Sequence, residues 1–252
     1  MKKLLYKSML RVMCMITLFC LVQVLPVINH FRPREIINIT QVQPNLTGLQ
    51  EIIKKAAQSC VMIEVHGPYD YNYQPIKWLG SGVIVSENGV IVTAGHVVKN
   101  AIEIKVILAD GREYKAKSFE YETITDVGII KIDANDLPIL SFGDSNKCVL
   151  GDTVIAIGSP FGKTLFNTVT VGIISGLQRD IPFFGNKLLF QIDAATAPGK
   201  SGGGVFDAQG NFIGIMVGML RDYDDISLCV PSNIIELVVS KYCEEKNFEN
   251  AE

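Results

Sequence analysis

Gly80-Ser81-Gly82-Val83-Ile84-Val85, followed by Asn88-Gly89 and then Val90-Ile91-Val92-Thr93-Ala94-Gly95-His96, decides the architecture. Two short β-branched runs flank a dipeptide that accepts the positive φ of a tight hairpin turn. The same pattern recurs downstream. Asp110-Gly111 lies between the runs 102–108 and 113–117, and Gly210-Asn211 between 204–206 and 212–216. Val61, Ile63 and Val65 alternate with Met62, Glu64 and His66, which predicts a strand with one buried face. Short strands broken by frequent turns predict an all-β sandwich or barrel.

The chain has 252 residues, enough for one domain of about 150–200 residues plus an appendage. A net charge of −3 and the absence of a basic stripe argue against nucleic-acid binding. Lys2, Lys3, Lys7 and Arg11 precede an apolar run from Val12 to Ile28, interrupted only by Thr17, Gln23 and Pro26. That run sits at the short limit for crossing a bilayer. A signal anchor over residues 1–30 is favoured over a cleaved signal peptide, because Leu25-Pro26-Val27-Ile28 offers no small-x-small cleavage site. Either way the charge asymmetry places the rest of the chain outside the cytoplasm. Residues 31–46 read as a linker, with Pro33 and Pro44 interrupting any helix. A short helix is expected from Thr47, with Gln50 at capping-box spacing and an apolar stripe of Leu49, Ile52, Ile53, Ala56 and Ala57. A last helix is expected after Pro231, with Asn233 and Glu236 at capping-box spacing.

Chemistry concentrates in Gly199-Lys200-Ser201-Gly202-Gly203-Gly204. A serine hydroxyl becomes an effective nucleophile when a base stands beside it and backbone N–H groups face the oxyanion that forms. His96 supplies a base. Asp126, followed by the buried-strand pattern Val127, Ile129, Ile130 and Ile132, supplies a carboxylate that needs a partner. His30 reads as interfacial and His66 as solvated. The phosphate-loop alternative fails, because Gly199-Lys200-Ser201 would need a glycine where Ala194 stands. Cys60, Cys148, Cys229 and Cys243 show no metal-ligand spacing. Free buried thiols are favoured, with disulfides left open, and no cofactor or metal is implied.

Together with Thr125-Asp126-Val127-Gly128, with Gly151-Asp152-Thr153-Val154-Ile155-Ala156-Ile157-Gly158-Ser159-Pro160-Phe161-Gly162 and with Gln191-Ile192-Asp193-Ala194-Ala195, these segments resemble the HtrA/Deg branch of the trypsin-like serine proteases over about residues 60–240. The resemblance implies a double six-stranded β-barrel within a protease domain at 47–245. The first barrel is expected at about 60–133, the second at about 150–231, with 137–147 crossing between them. It also implies a triad of His96, Asp126 and Ser201, with the N–H groups of Gly199 and Ser201 as oxyanion donors. The Lys200 side chain is expected to project away. Ala195, Thr196, Ile215, Val217 and Gly218 are expected to build the primary pocket. None of them carries an acid, so small or medium apolar P1 residues are expected. Lys200 and Ala197 stand where the family usually has asparagine, and Gly204 where it has proline. Too few residues follow Tyr242 for the PDZ domain common in the family, so PDZ-gated control is not expected. The implied substrates are unfolded or misfolded extracytoplasmic polypeptides, and a homotrimer follows by analogy. The alternative is an inactive homologue that binds unfolded peptides.

Overall fold

The computed structural model describes residues 47–181, 188–220 and 226–249. The expected signal anchor and the linker at 31–46 lie outside the described residues. Among the described residues no helix is long and apolar enough to cross a membrane.

The chain enters through α1 (Thr47–Ser59), whose Ala56 is fully buried and whose Leu49, Ile52, Ile53 and Ala57 pack on the core. Six antiparallel strands follow: β1 (Cys60–Tyr69), β2 (Pro75–Ile84), β3 (Val90–Ala94), β4 (Glu103–Ile107), β5 (Glu113–Glu122) and β6 (Val127–Ile132). They close a barrel in the order β1-β2-β3-β6-β5-β4. A single helical turn, α2 (Gly95–Val98), leaves the end of β3. Six more strands form a second closed barrel in the order β10-β11-β12-β9-β8-β7. They are β7 (Thr153–Gly158), β8 (Thr168–Arg179), β9 (Leu189–Ile192), β10 (Gly204–Asp207), β11 (Phe212–Met219) and β12 (Ser227–Pro231). The helix α3 (Ser232–Glu249) ends the fold. Each of the three turn dipeptides read from the sequence falls between paired strands: β2–β3, β4–β5 and β10–β11.

The barrels press against each other, and this rewrites the simple alternation. On β7, Val154 and Ala156 point into the second barrel with Ile174, Val205 and Ile213. Ile155 and Ile157 join the apolar cluster that also holds Val61, Ile63 and Ile130 of the first barrel. A strand covered on both faces reads as a continuous apolar run. The same reasoning corrects β1, where Met62 is as fully buried as its neighbours Val61 and Ile63. The 3₁₀ turn at Gly162–Leu165 covers that second face.

The C-terminal helix is anchored differently from the capping box expected at its start. The Asn233 side chain accepts from Ser145 N at 3.1 Å and donates to Asp144 Oδ1 at 3.1 Å, while Ser232 Oγ donates to Gly143 O at 2.6 Å. These polar groups tie α3 to the segment joining the barrels.

Several glycines make the seam possible, and Gly202 is the tightest. It has φ +81, and a Cβ there would sit 2.2 Å from both Ser81 O and Thr93 Oγ1. Both contacts are on the first barrel, while Gly202 N donates to Met216 O of the second at 2.6 Å. Gly202→Ala is therefore expected to destabilise the domain by more than about 3 kcal/mol, or to prevent folding, as read from the denaturant midpoint. A midpoint near that of wild type would contradict this packing.

Candidate functional site

The site is assembled from three chain segments at the seam. α2 presents His96. Its position is set by β2: Trp78 Nε1 donates to Val97 O at 2.7 Å, and Gly80 leaves room for Val97, whose Cγ1 would lie 2.5 Å from an added Cβ.

Asp126 sits just before β6 with φ +55, a left-handed conformation that Asp tolerates better than most residues. In that conformation it accepts three hydrogen bonds from one short stretch. Its carbonyl receives Gly95 N at 2.8 Å, Oδ1 receives His96 N at 2.7 Å, and Oδ2 pairs with His96 Nδ1 at 2.8 Å. Gly95 has to be small here, since a Cβ would lie 2.9 Å from Asp126 Oδ1. An ionised carboxylate only accepts, so His96 Nδ1 is the donor of this bond, and in the neutral ring Nε2 is the nitrogen that holds the lone pair. The ring is open to solvent, with 45% of the His96 side chain exposed.

Ser201 reaches this seam through the backbone. Ser81 N on β2 donates to Ser201 O at 2.8 Å, and the next residue, Gly202, wedges against Thr93 and Ala94 at the end of β3. Among the described residues no hydrogen bond joins Ser201 Oγ to the His96 ring, which is bonded to Asp126. The Gly199 carbonyl is held by Ser81 Oγ at 2.8 Å, and Gly199 has φ +97. Lys200 N donates to Ala197 O and Gly203 N to Lys200 O. Among the described residues neither Gly199 N nor Ser201 N donates to a protein acceptor. Two backbone donors are thus left available on either side of Lys200.

Beside Ser201 lies an open cavity of about 470 Å³, lined by Thr196, Ala197, Pro198, Met216, Gly218 and Met219, with no charged side chain. Of the residues expected to build it, Thr196 and Gly218 do line it. Ile215 and Val217 are buried in the apolar cluster at the barrel contact instead. Ala195 is exposed outside the lining and uses its carbonyl as a hydrogen-bond acceptor. Of Met216 and Met219, the sequence reading held the first within its expected wall 215–218 and missed the second. Strand alternation carries the signal for the first, because Met216 faces opposite to Ile215 and Val217.

Lys200 departs most from expectation. Its side chain does not project away: it is 1% exposed, with Nζ donating to Thr170 Oγ1 and to Ala195 O, both at 2.9 Å. Gly158 leaves room for its stem, since an added Cβ would lie 3.2 Å from Lys200 Cγ. Burial pushes the amine down to about 8. Cys60 and Cys148 offer no competing nucleophile. The four cysteines among the described residues are unpaired, and burial pushes Cys60 up to about 12 and Cys148 up to about 11. Among the described residues no His, Cys, Asp and Glu cluster could hold a metal ion.

Two closed antiparallel barrels with a histidine–aspartate pair and a glycine-rich serine loop at their seam define the trypsin-like class of fold. The family model for the trypsin-like peptidase domain matches residues 80–215, and the chain belongs to that family. Its homologues are HtrA-type proteins. It is 50% identical over 159 residues to the "Probable periplasmic serine endoprotease DegP-like" of Halomonas elongata, covering 62% of this chain and 33% of that protein. It is 36% identical over 208 residues to "Serine protease HTRA4" of Homo sapiens, covering 80% of this chain and 43% of that one. The solved structure of "HtrA-type protease AlgW with tripeptide" matches with a TM-score of 0.71 at 32% identity, over 78% of this chain and 64% of that chain. The chain therefore spans a third to less than half of the length of these curated relatives.

The buried ammonium has a measurable signature. Its folded pKa of about 8 lies below the ordinary 10.5. Below pH 8 both states are protonated and the full desolvation cost is present. Between 8 and 10.5 the folded state has released its proton while the unfolded state still holds one, so stability rises with pH. Relative to Lys200→Met, wild type is expected to gain about 2 kcal/mol between pH 7 and 9.5, read from denaturant midpoints at the two values. A constant difference would mean that Lys200 is not buried as a cation.

Proposed function

We propose that the protein is a serine endopeptidase that cleaves unfolded or misfolded polypeptides outside the cytoplasm through His96, Asp126 and Ser201. The observation that carries this reading is the doubly held pair, in which Asp126 binds both the backbone N–H and Nδ1 of His96 at 2.7 and 2.8 Å. That arrangement fixes the tautomer needed for a base and leaves Nε2 free on a solvent-open ring. In the proposed reaction Nε2 takes the Ser201 hydroxyl proton as Oγ attacks a peptide carbonyl. Asp126 steadies the imidazolium that results. The oxyanion is received by Gly199 N and Ser201 N, neither of which donates to a protein acceptor among the described residues. His96 then protonates the leaving amine, and water attacks the ester carbonyl of the acyl-enzyme with His96 again as base; the bond to Ser201 Oγ breaks, His96 returns the proton to Oγ, and the carboxylate product leaves.

Substrate choice follows from the cavity beside Ser201. Methionine thioethers, Pro198 and an absence of charge suit a small or medium apolar P1 side chain and give a basic one no partner. The extracytoplasmic setting rests on the likeness to the Halomonas elongata protein, which is named as a probable periplasmic endoprotease, and on the N-terminal pattern of the sequence. Membrane anchoring through residues 1–30 belongs to the same proposal.

The test uses a fluorophosphonate probe and an unfolded substrate such as casein. Wild type is expected to be labelled at Ser201 and to cleave casein after apolar residues, with both activities absent in Ser201→Ala. Asp126→Asn is expected to lower kcat by about 10⁴-fold, because an amide presents the wrong hydrogen to Nδ1. Cleavage that survives Ser201→Ala, or a marked preference for Arg or Lys at P1, would overturn the assignment.

A further inference from the structure

The proposed reaction leaves one expensive feature without a use. An ammonium has been buried next to the nucleophile, yet its two partners are neutral oxygens, and among the described residues no carboxylate lies within 4.0 Å of Nζ. Burying an unpaired charge is costly, and a methionine, one atom shorter, would fill most of the space without that cost. The contacts show what the charge does instead. Thr170 Oγ1 also donates to Ala195 O at 3.0 Å, so Nζ, Oγ1 and the carbonyl form a closed triangle between β8 and the active loop. The Lys200 main chain grips the same loop twice more, through its N–H to Ala197 O at 3.0 Å and its carbonyl from Gly203 N at 2.8 Å. One residue therefore ties positions 195, 197 and 203. The pocket wall Thr196–Pro198 and the donors Gly199 N and Ser201 N all lie between those ties. Hydrogen bonds from a cation are stronger than neutral ones, and more so where water is excluded.

We propose that Lys200 is a positioning residue: its buried ammonium bridges Thr170 and Ala195, and so holds loop 195–201 with its oxyanion donors aimed before substrate arrives. The inference rests on the reading of Ser201 as nucleophile. Lys200 touches no reacting atom in this scheme; it acts through Gly199 and Ser201. Loosening a donor by an ångström weakens stabilisation of the transition state more than binding of the ground state. The loss belongs in kcat.

The experiment compares wild type, Lys200→Met, Thr170→Val and the double variant by casein-derived peptide kinetics, by fluorophosphonate labelling rate and by thermal midpoint. Lys200→Met is expected to keep or raise the thermal midpoint while kcat and labelling rate fall together by about 10–100-fold, with KM within about threefold. Thr170→Val is expected to lose less, about 3–10-fold, and the double variant to fall no further than Lys200→Met, since both remove one bridge. A kcat for Lys200→Met within about twofold of wild type overturns the inference, as does a loss that tracks a lowered thermal midpoint. Failure of wild type itself to be labelled at Ser201 shows in the control arm and removes the site reading together with the inference.

Discussion

One buried hydroxyl group joins the two halves of this molecule. Ser81 is fully buried on β2 of the first barrel. Its Oγ accepts from Ser159 N at 2.8 Å and donates to Gly199 O at 2.8 Å, both on the second barrel's side of the seam. Its backbone N–H donates to Ser201 O, and its carbonyl accepts from Thr93 Oγ1 at 2.7 Å. Every polar atom of the residue is spent at the junction, where an unpaired group would be costly. The consequence is geometric. The loop bearing Gly199 and Ser201 is registered against the strand that leads to His96, so histidine and serine come from different barrels yet share one seam. The glycines at 158 and 202 follow from the same closeness, since side chains there would press on Ser81 or Thr93.

Charge is placed with similar economy. Asp126 keeps 23% of its side chain exposed and spends both carboxylate oxygens on His96. Lys200 lies beneath the serine loop with two neutral acceptors. At the edge of the seam, Lys163 and Lys105 flank Glu113 at 2.5 and 2.9 Å, which holds its carboxyl down at about 2 and links the loop after β7 to the first barrel. That last group is surface chemistry, screened by salt. Of the other two only Lys200 is shut off from water, and both bear on what the serine can do.

The hairpins were legible because Asn88-Gly89, Asp110-Gly111 and Gly210-Asn211 carry their own backbone preference, which tertiary contacts did not override. The segments bearing His96, Asp126 and Ser201 were legible because short motifs mark them. Lys200 was not, since a lysine in a glycine-rich run reads as a solvated side chain until the space left by Gly158 and the acceptors on Thr170 and Ala195 are seen. Ile215 and Val217 misled for another reason: on a strand covered from both sides, period-two alternation does not say which face holds the cavity. Asn233 was read as a local cap, yet its amide is taken by Ser145 and Asp144, 88 and 89 residues away in the chain. Local pattern cannot report a partner at that distance.

The central claim is that the seam set by Ser81 delivers one serine to one histidine with two backbone donors facing the same point. A crystal structure of the domain carrying a covalent phosphonate tests it most directly. The expected result is an adduct on Ser201 Oγ, with a phosphoryl oxygen about 2.7–3.1 Å from both Gly199 N and Ser201 N and with His96 still paired to Asp126. An adduct on another side chain, or a phosphoryl oxygen turned away from both N–H groups, would contradict it.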